Sequence, residues 1–150
     1  MTTWTDRRTT FAFTPPSDDA TAWAFKLDTL AAHLKREFPG AWTKPEQQLG
    51  PGRANGLSFE IQLPDGTWLR GLATQVRADS GAVSVMDATA REAAVLAVSL
   101  RDNFVPASNL IEFYSDLGVE IGHGPDPLPA QGSLEEIAAV LQEHLNTVDA

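Results

Sequence analysis

The chain reads as a single α+β domain, with an antiparallel sheet of about five strands and three helices in the order α-β-β-β-α-β-β-α. Three observations predict it. The apolar period is two in the middle of the chain and three to four on either side of that region. The predicted strands are joined by short turns such as Pro64-Asp65-Gly66, which suit antiparallel neighbours. Only the link between the third and fourth predicted strands is long enough to cross over, so a parallel sheet is excluded.

Residues 1–16 are Thr-rich and close on Pro15-Pro16, which predicts an extended N-terminal arm, with Phe11 and Phe13 alternating as an edge strand would. The domain proper is expected over residues 17–150. Ser17 offers an N-cap oxygen, and Asp18 and Asp19 place negative charge at the positive end of a helix dipole. Ala20, Trp23, Ala24, Leu27, Leu30, Ala31, Leu34 and Phe38 then recur at helical spacing until Pro39-Gly40. From Ala41 to Gly56 the Pro- and Gly-rich sequence predicts a long loop anchored by Trp42. Leu57, Phe59, Ile61 and Leu63 alternate with polar residues, the pattern of a strand with one buried face. Residues 67–76 and 82–86 complete a meander.

Thr89 and Glu92 have capping-box spacing and start a helix that runs to Phe104. Its main face is Ala93, Leu96, Ala97, Leu100 and Phe104, yet Ala94, Val95 and Val98 point the other way. A helix apolar on most of its circumference is expected to be covered on both sides. Residues 109–115 predict a fourth strand, Asp116-Leu117-Gly118 a hairpin turn, and residues 119–122 a fifth strand. Ser133 and Glu136 repeat the capping-box spacing before Leu134, Ile137, Ala138, Leu141, Leu145 and Val148 line a last helix.

Composition narrows the function classes. With 43% hydrophobic and 21% charged residues the chain can build one ordinary core. Its formal charge of −9 disfavours nucleic acid and anionic membrane as partners, since both attract clustered Lys and Arg. The absence of cysteine removes disulfides and thiolate chemistry. Arg7 and Arg8 are not followed by the apolar run of about 7–15 residues that a secretory signal needs, and no stretch approaches the roughly 20 apolar residues of a membrane helix. The expectation is a cytoplasmic protein.

The order of elements, with the size and the acidic charge, resembles the type III secretion chaperone-like fold over most of residues 17–148. That resemblance implies a homodimer that binds an extended segment of another protein and performs no catalysis, with Ala94, Val95 and Val98 of the second predicted helix in the dimer interface. The Ala- and Arg-rich, Lys-poor composition suggests a bacterial source.

Candidate chemistry is sparse. Gly122-His123-Gly124-Pro125-Asp126-Pro127 looks like a glycine-rich site, but Pro127 stands where a dinucleotide fingerprint needs its third glycine. No Lys-Ser or Lys-Thr follows, so it is not a P-loop. His123 and Asp126 could ligate a metal, yet no two histidines have helical i, i+4 spacing. The stretch reads as a connector, with no metal and no cofactor expected. No G-x-S-x-G elbow accompanies the serines, and Ser80-Gly81 sits in a turn. Glu60 with Glu112 or Glu120 could pair, but exposed alternating charge is what a one-sided sheet displays. Aromatic residues off the core pattern carry more information. Phe25, Trp68, Arg70, Glu112 and Tyr114 are assigned to a partner-binding patch, because Trp, Tyr and Arg anchor protein interfaces. The sequence therefore predicts a non-catalytic, chaperone-like adaptor for another bacterial protein. An immunity protein that neutralises a basic toxin, and a small enzyme using His123 and Asp126, are the alternatives.

Overall fold

A computed structural model describes residues 2–49 and 54–149. It is an α+β fold in which one antiparallel sheet carries its helices on one face. In chain order the elements are β1 (Thr9–Thr14), α1 (Leu27–Glu37), β2 (Trp42–Leu49), β3 (Ala54–Gln62), β4 (Trp68–Arg77) and β5 (Ser80–Ala88). They continue with α2 (Ala90–Asn103), β6 (Glu112–Ser115), α3 (Asp116–Glu120), β7 (Asp126–Pro127) and α4 (Leu134–Val148). The seven strands lie in the order β2-β3-β4-β5-β1-β6-β7. The class is as expected, with two more strands and one more helix than the sequence suggests.

The differences have local causes. Residues 9–14, expected in an arm with at most an edge strand, form β1 in the interior of the sheet, paired to β5 on one side and β6 on the other. Phe11 and Phe13 are both fully buried there, which makes this segment part of the core. The first helix starts at Leu27 rather than at residue 17, and its N-cap residue, Lys26, makes no side-chain cap bond. Tertiary anchors override the helical period upstream. Trp23 Nε1 donates to the Leu110 carbonyl at 2.6 Å, Ala24 takes a positive φ, and Phe25 N–H donates to the Asp79 carbonyl at 3.2 Å.

The long loop expected over 41–56 is largely strand: β2 occupies the sheet edge, where proline is tolerated, and Pro45 faces Leu57 there. Residues 50–53 of that expectation lie outside the described residues. The expected hairpin at 116–118 and strand at 119–122 are instead α3, because the Ser115 hydroxyl accepts from Gly118 N–H at 3.0 Å and caps a helical turn. Gly122, with φ +75°, adopts the left-handed conformation just past α3.

Register assigns each sheet residue to a face. Directly opposed residues of antiparallel strands share a face, so Phe59, Gly71, Val85, Phe11 and Ser115 form one row, and Leu57, Ala73, Val83, Phe13, Phe113 and Asp126 the next. Apart from Gly71 and Asp126, these are buried side chains of the covered face. Phe59 lies across the backbone of Gly71, where any Cβ would overlap its ring. Both predicted capping boxes form: Thr89 with Glu92 starts α2, and Ser133 with Glu136 starts α4.

α2 packs along α4 and touches β5, which accounts for its doubly apolar surface within one chain. A buried polar link ties α1 to α2: His33 Nε2 meets Ser99 Oγ at 2.9 Å, and Ser99 and Asn103 both donate to Glu37. Burial lowers the His33 pKa below its ordinary value, Glu37 partly opposes this, and the nearby Arg36 guanidinium reinforces it. Among the described residues, no helix is long and apolar enough to cross a membrane.

Candidate functional site

Short elements near the sheet end bring four polar side chains together beneath α4. β6 alternates, so Phe113 and Ser115 point to the covered face while Glu112 and Tyr114 point to the other. The Gly122 to Pro127 stretch is more than a connector, because its last two residues return to the sheet as β7 and place Asp126 opposite Phe113. His123 lies three residues earlier, its N–H donating to the Gly118 carbonyl at 2.9 Å. α4 lays His144 over this end of the sheet, edge-on to the Phe113 ring at 5.2 Å.

The four side chains form a chain of hydrogen bonds. Asp126 Oδ2 lies 2.9 Å from His123 Nε2 and 3.0 Å from His144 Nδ1, and His144 Nε2 lies 2.7 Å from Ser115 Oγ. An ionised carboxylate can only accept, so both imidazole nitrogens facing it carry hydrogens. His144 Nε2 and the Ser115 hydroxyl share a hydrogen, and the Ser115 oxygen also accepts Gly118 N–H. Burial works to raise the Asp126 pKa, but the hydrogen bonds and charge of the two histidines outweigh it and hold the carboxyl below its usual range.

The order serine, histidine, aspartate is that of a nucleophilic triad. Ser115, however, is 0% exposed and its oxygen caps α3, so a substrate carbonyl has no approach to it. Acyl transfer through Ser115 is therefore not what this geometry performs. The histidines and Asp126 are placed differently. They border a cavity of about 270 Å³ whose wall also includes Phe113, Val140, Glu143 and Thr147. Their three ligand atoms, two imidazole nitrogens and one carboxylate oxygen, lie within 4.8 Å of one another. The sequence reading considered His123 and Asp126 but missed His144 and Ser115. His144 lies 18 residues beyond Asp126, and nothing local signals that β7 and α4 bring them together.

The predicted partner patch divides. Trp68, Arg70, Glu112 and Tyr114 share the sheet face opposite the core, although β5 and β1 lie between the two pairs. Phe25 does not belong with them. It is fully buried, packing edge-on against Phe104 at 6.1 Å, because it lies in a bridge to Asp79 rather than on an exposed helix side. Trp42 joins the face, directly opposite Glu60, which in turn faces Arg70 and then Met86 across successive strands. Trp42 and Trp68 remain 49% and 53% exposed. From strand spacing and rise, their Cα atoms are about 12 Å apart. Glu60 and Glu112 are four strands apart, about 19 Å across the strands alone and further along them, so they form no carboxylate pair. Glu112 instead accepts from the Ser17 hydroxyl at 2.8 Å.

Of the residues assigned to a dimer interface, Ala94 is fully buried within the chain, which removes it from any surface. Val95 and Val98 are half-buried and line, with Leu134, a separate cavity of about 280 Å³. Comparison with protein-family models, with curated proteins and with solved structures gives no match.

Proposed function

We propose that the protein is a non-catalytic binding domain, an adaptor that holds a segment of another protein chain on the bare face of its sheet. The observation that carries this reading is the cluster of Trp42, Trp68 and Met86 around the facing Glu60 and Arg70. Three large apolar side chains left exposed around a cross-strand Glu60 and Arg70 have the composition of an interface hot spot, where Trp and Arg are enriched.

The occupant proposed is an extended segment that offers apolar anchor residues to the two tryptophans. Charge supports this choice. The face carries Lys44 and Arg70 against Glu46, Glu60 and Glu112, so it is close to neutral and suits apolar anchoring. The strand edge beside it is blunted by Lys44 and Pro45, which disfavours addition of a foreign strand and leaves the face as the docking surface.

Neutralisation of a basic toxin is the second reading, drawn from the net charge of −9. Exposed Asp18, Asp19, Asp116, Glu120, Glu135 and Glu143 lie on loops and helices, so the acidic excess and the aromatic anchors occupy different surfaces. The adaptor reading therefore ranks first. It does not require a second copy of the chain, since α4 already packs along α2.

The test immobilises the wild type and a Trp68→Ala/Arg70→Ala variant side by side, exposes both to extract of the source organism, and identifies what each retains by mass spectrometry. A protein held by the wild type and lost from the variant is the expected outcome. An identical retained set from the two would contradict the reading.

A further inference from the structure

We infer that His123, Asp126 and His144 form a binding site for one divalent metal ion of the zinc, cobalt, nickel or ferrous iron class, whose free coordination position faces the cavity under α4. The inference stands apart from the aromatic face and does not depend on it.

The donor set selects the class of ion. Two imidazole nitrogens and one carboxylate oxygen suit zinc, cobalt, nickel or ferrous iron, whereas magnesium and calcium seek all-oxygen shells. The spacing is close to what such an ion needs. Bonds of about 2.0–2.2 Å in a tetrahedral shell put ligand atoms roughly 3.4 Å apart. Asp126 Oδ2 lies 2.9 and 3.0 Å from the two nitrogens, so a small opening of the cluster admits the ion in place of the two hydrogens now shared there.

Three further features support a built site. His144 is oriented from behind, because Ser115 Oγ sits 2.7 Å from its other nitrogen and is itself fixed by Gly118 N–H. A hydrogen bond to the non-ligating nitrogen is the usual support of a metal-binding imidazole, and here the same pair of atoms serves with His144 as donor. The loop ligands are held as well: His123 N–H bonds Gly118, Asp126 faces Phe113 in the β6–β7 ladder, and Leu128 N–H bonds the Ile111 carbonyl at 2.9 Å. Finally, an ion has a way in. The side chains of His123 and Asp126 are 31% and 37% exposed at the mouth of the cavity, where Glu143 adds negative charge. Three protein ligands leave a fourth position for water or for a donor from a bound molecule.

The experiment uses tag-free, chelator-stripped protein titrated with cobalt(II) followed by absorption, and with zinc(II) followed by calorimetry. One ion per chain is expected, with visible cobalt bands that zinc displaces and magnesium does not. Of the three histidines in the chain, the ring-proton NMR signals of two should move on zinc addition while those of His33 stay in place. His123→Ala and Asp126→Asn should each weaken zinc binding by more than the about 10–100-fold that loss of a supporting hydrogen bond costs. Glu120→Ala, an exposed acid outside the cluster, should leave it unchanged. Absence of saturable binding by the wild type, or equal binding by the wild type and both cluster variants, would overturn the inference, the latter by assigning the ion to the acidic surface.

Discussion

Ser115 serves two neighbours at once, capping α3 through Gly118 and orienting His144 through its other bond. Replacing it with alanine removes an N-cap and leaves a buried ring nitrogen unpaired. Ser115→Ala should therefore lower stability by about 2–4 kcal/mol, read from urea unfolding midpoints. Gly71 supports a second prediction. Because Phe59 occupies the space where a side chain would begin, Gly71→Ala forces the ring or the strand to shift and should cost about 1–3 kcal/mol in the same assay. His33 makes a pH-dependent contribution whose sign follows from burial. Its pKa is lowered in the folded state, so the unfolded chain binds more protons once the pH falls below the unfolded value of about 6.5. The stability it contributes is complete above that pH and is lost on acidification, at no more than about 1.4 kcal/mol per pH unit. Urea midpoints measured from pH about 7.5 down to about 5.5 should fall more steeply for the wild type than for His33→Gln.

At the scale of elements, the two capping boxes can be read directly from the sequence because the signal is chemical and spans only four residues. Thr89→Ala should cost about 1 kcal/mol by loss of the bond to Glu92 N–H, detectable as a lower urea midpoint with an unchanged slope. The meander of β3, β4 and β5 is equally legible, since Leu57, Phe59 and Ile61 alternate strictly and bury together. Where the reading fails, distant contacts decide. The period from Ala20 to Leu27 is helical on paper, yet Trp23 and Phe25 are both pulled into the core by partners 50 or more residues away. Pro45 looks like a loop residue until β2 is placed at an edge, where proline is tolerated. Val119 and Ile121 alternate like a strand but are exposed, α3 being set by the Ser115 cap. The same limit hid the cluster of His123, Asp126 and His144. His123 and Asp126 are neighbours in sequence, but His144 joins them only because β7 pairs with β6 under α4.

For the whole molecule, the placement of β1 matters most. A segment expected as an extended arm with an edge strand instead joins β5 to β6, while residues 3 and 5 ahead of it bond to Asn146 and Gln142 of α4. Deleting residues 1–14 would expose the facing edges of β5 and β6 and remove Phe11 and Phe13 from the core. The truncated chain should lose cooperative thermal unfolding by circular dichroism, whereas an independent domain starting at residue 17 would keep it. This topology puts the helices on one face and leaves Trp42, Trp68 and Met86 on the other, which is the basis of the functional proposal. Docking of a protein segment on that face is therefore best tested by the affinity of wild type and Trp68→Ala for a protein captured on it. A loss of about 30-fold or more is expected, the effect of removing a hot-spot tryptophan worth about 2 kcal/mol. Equal affinity of the two proteins would contradict it.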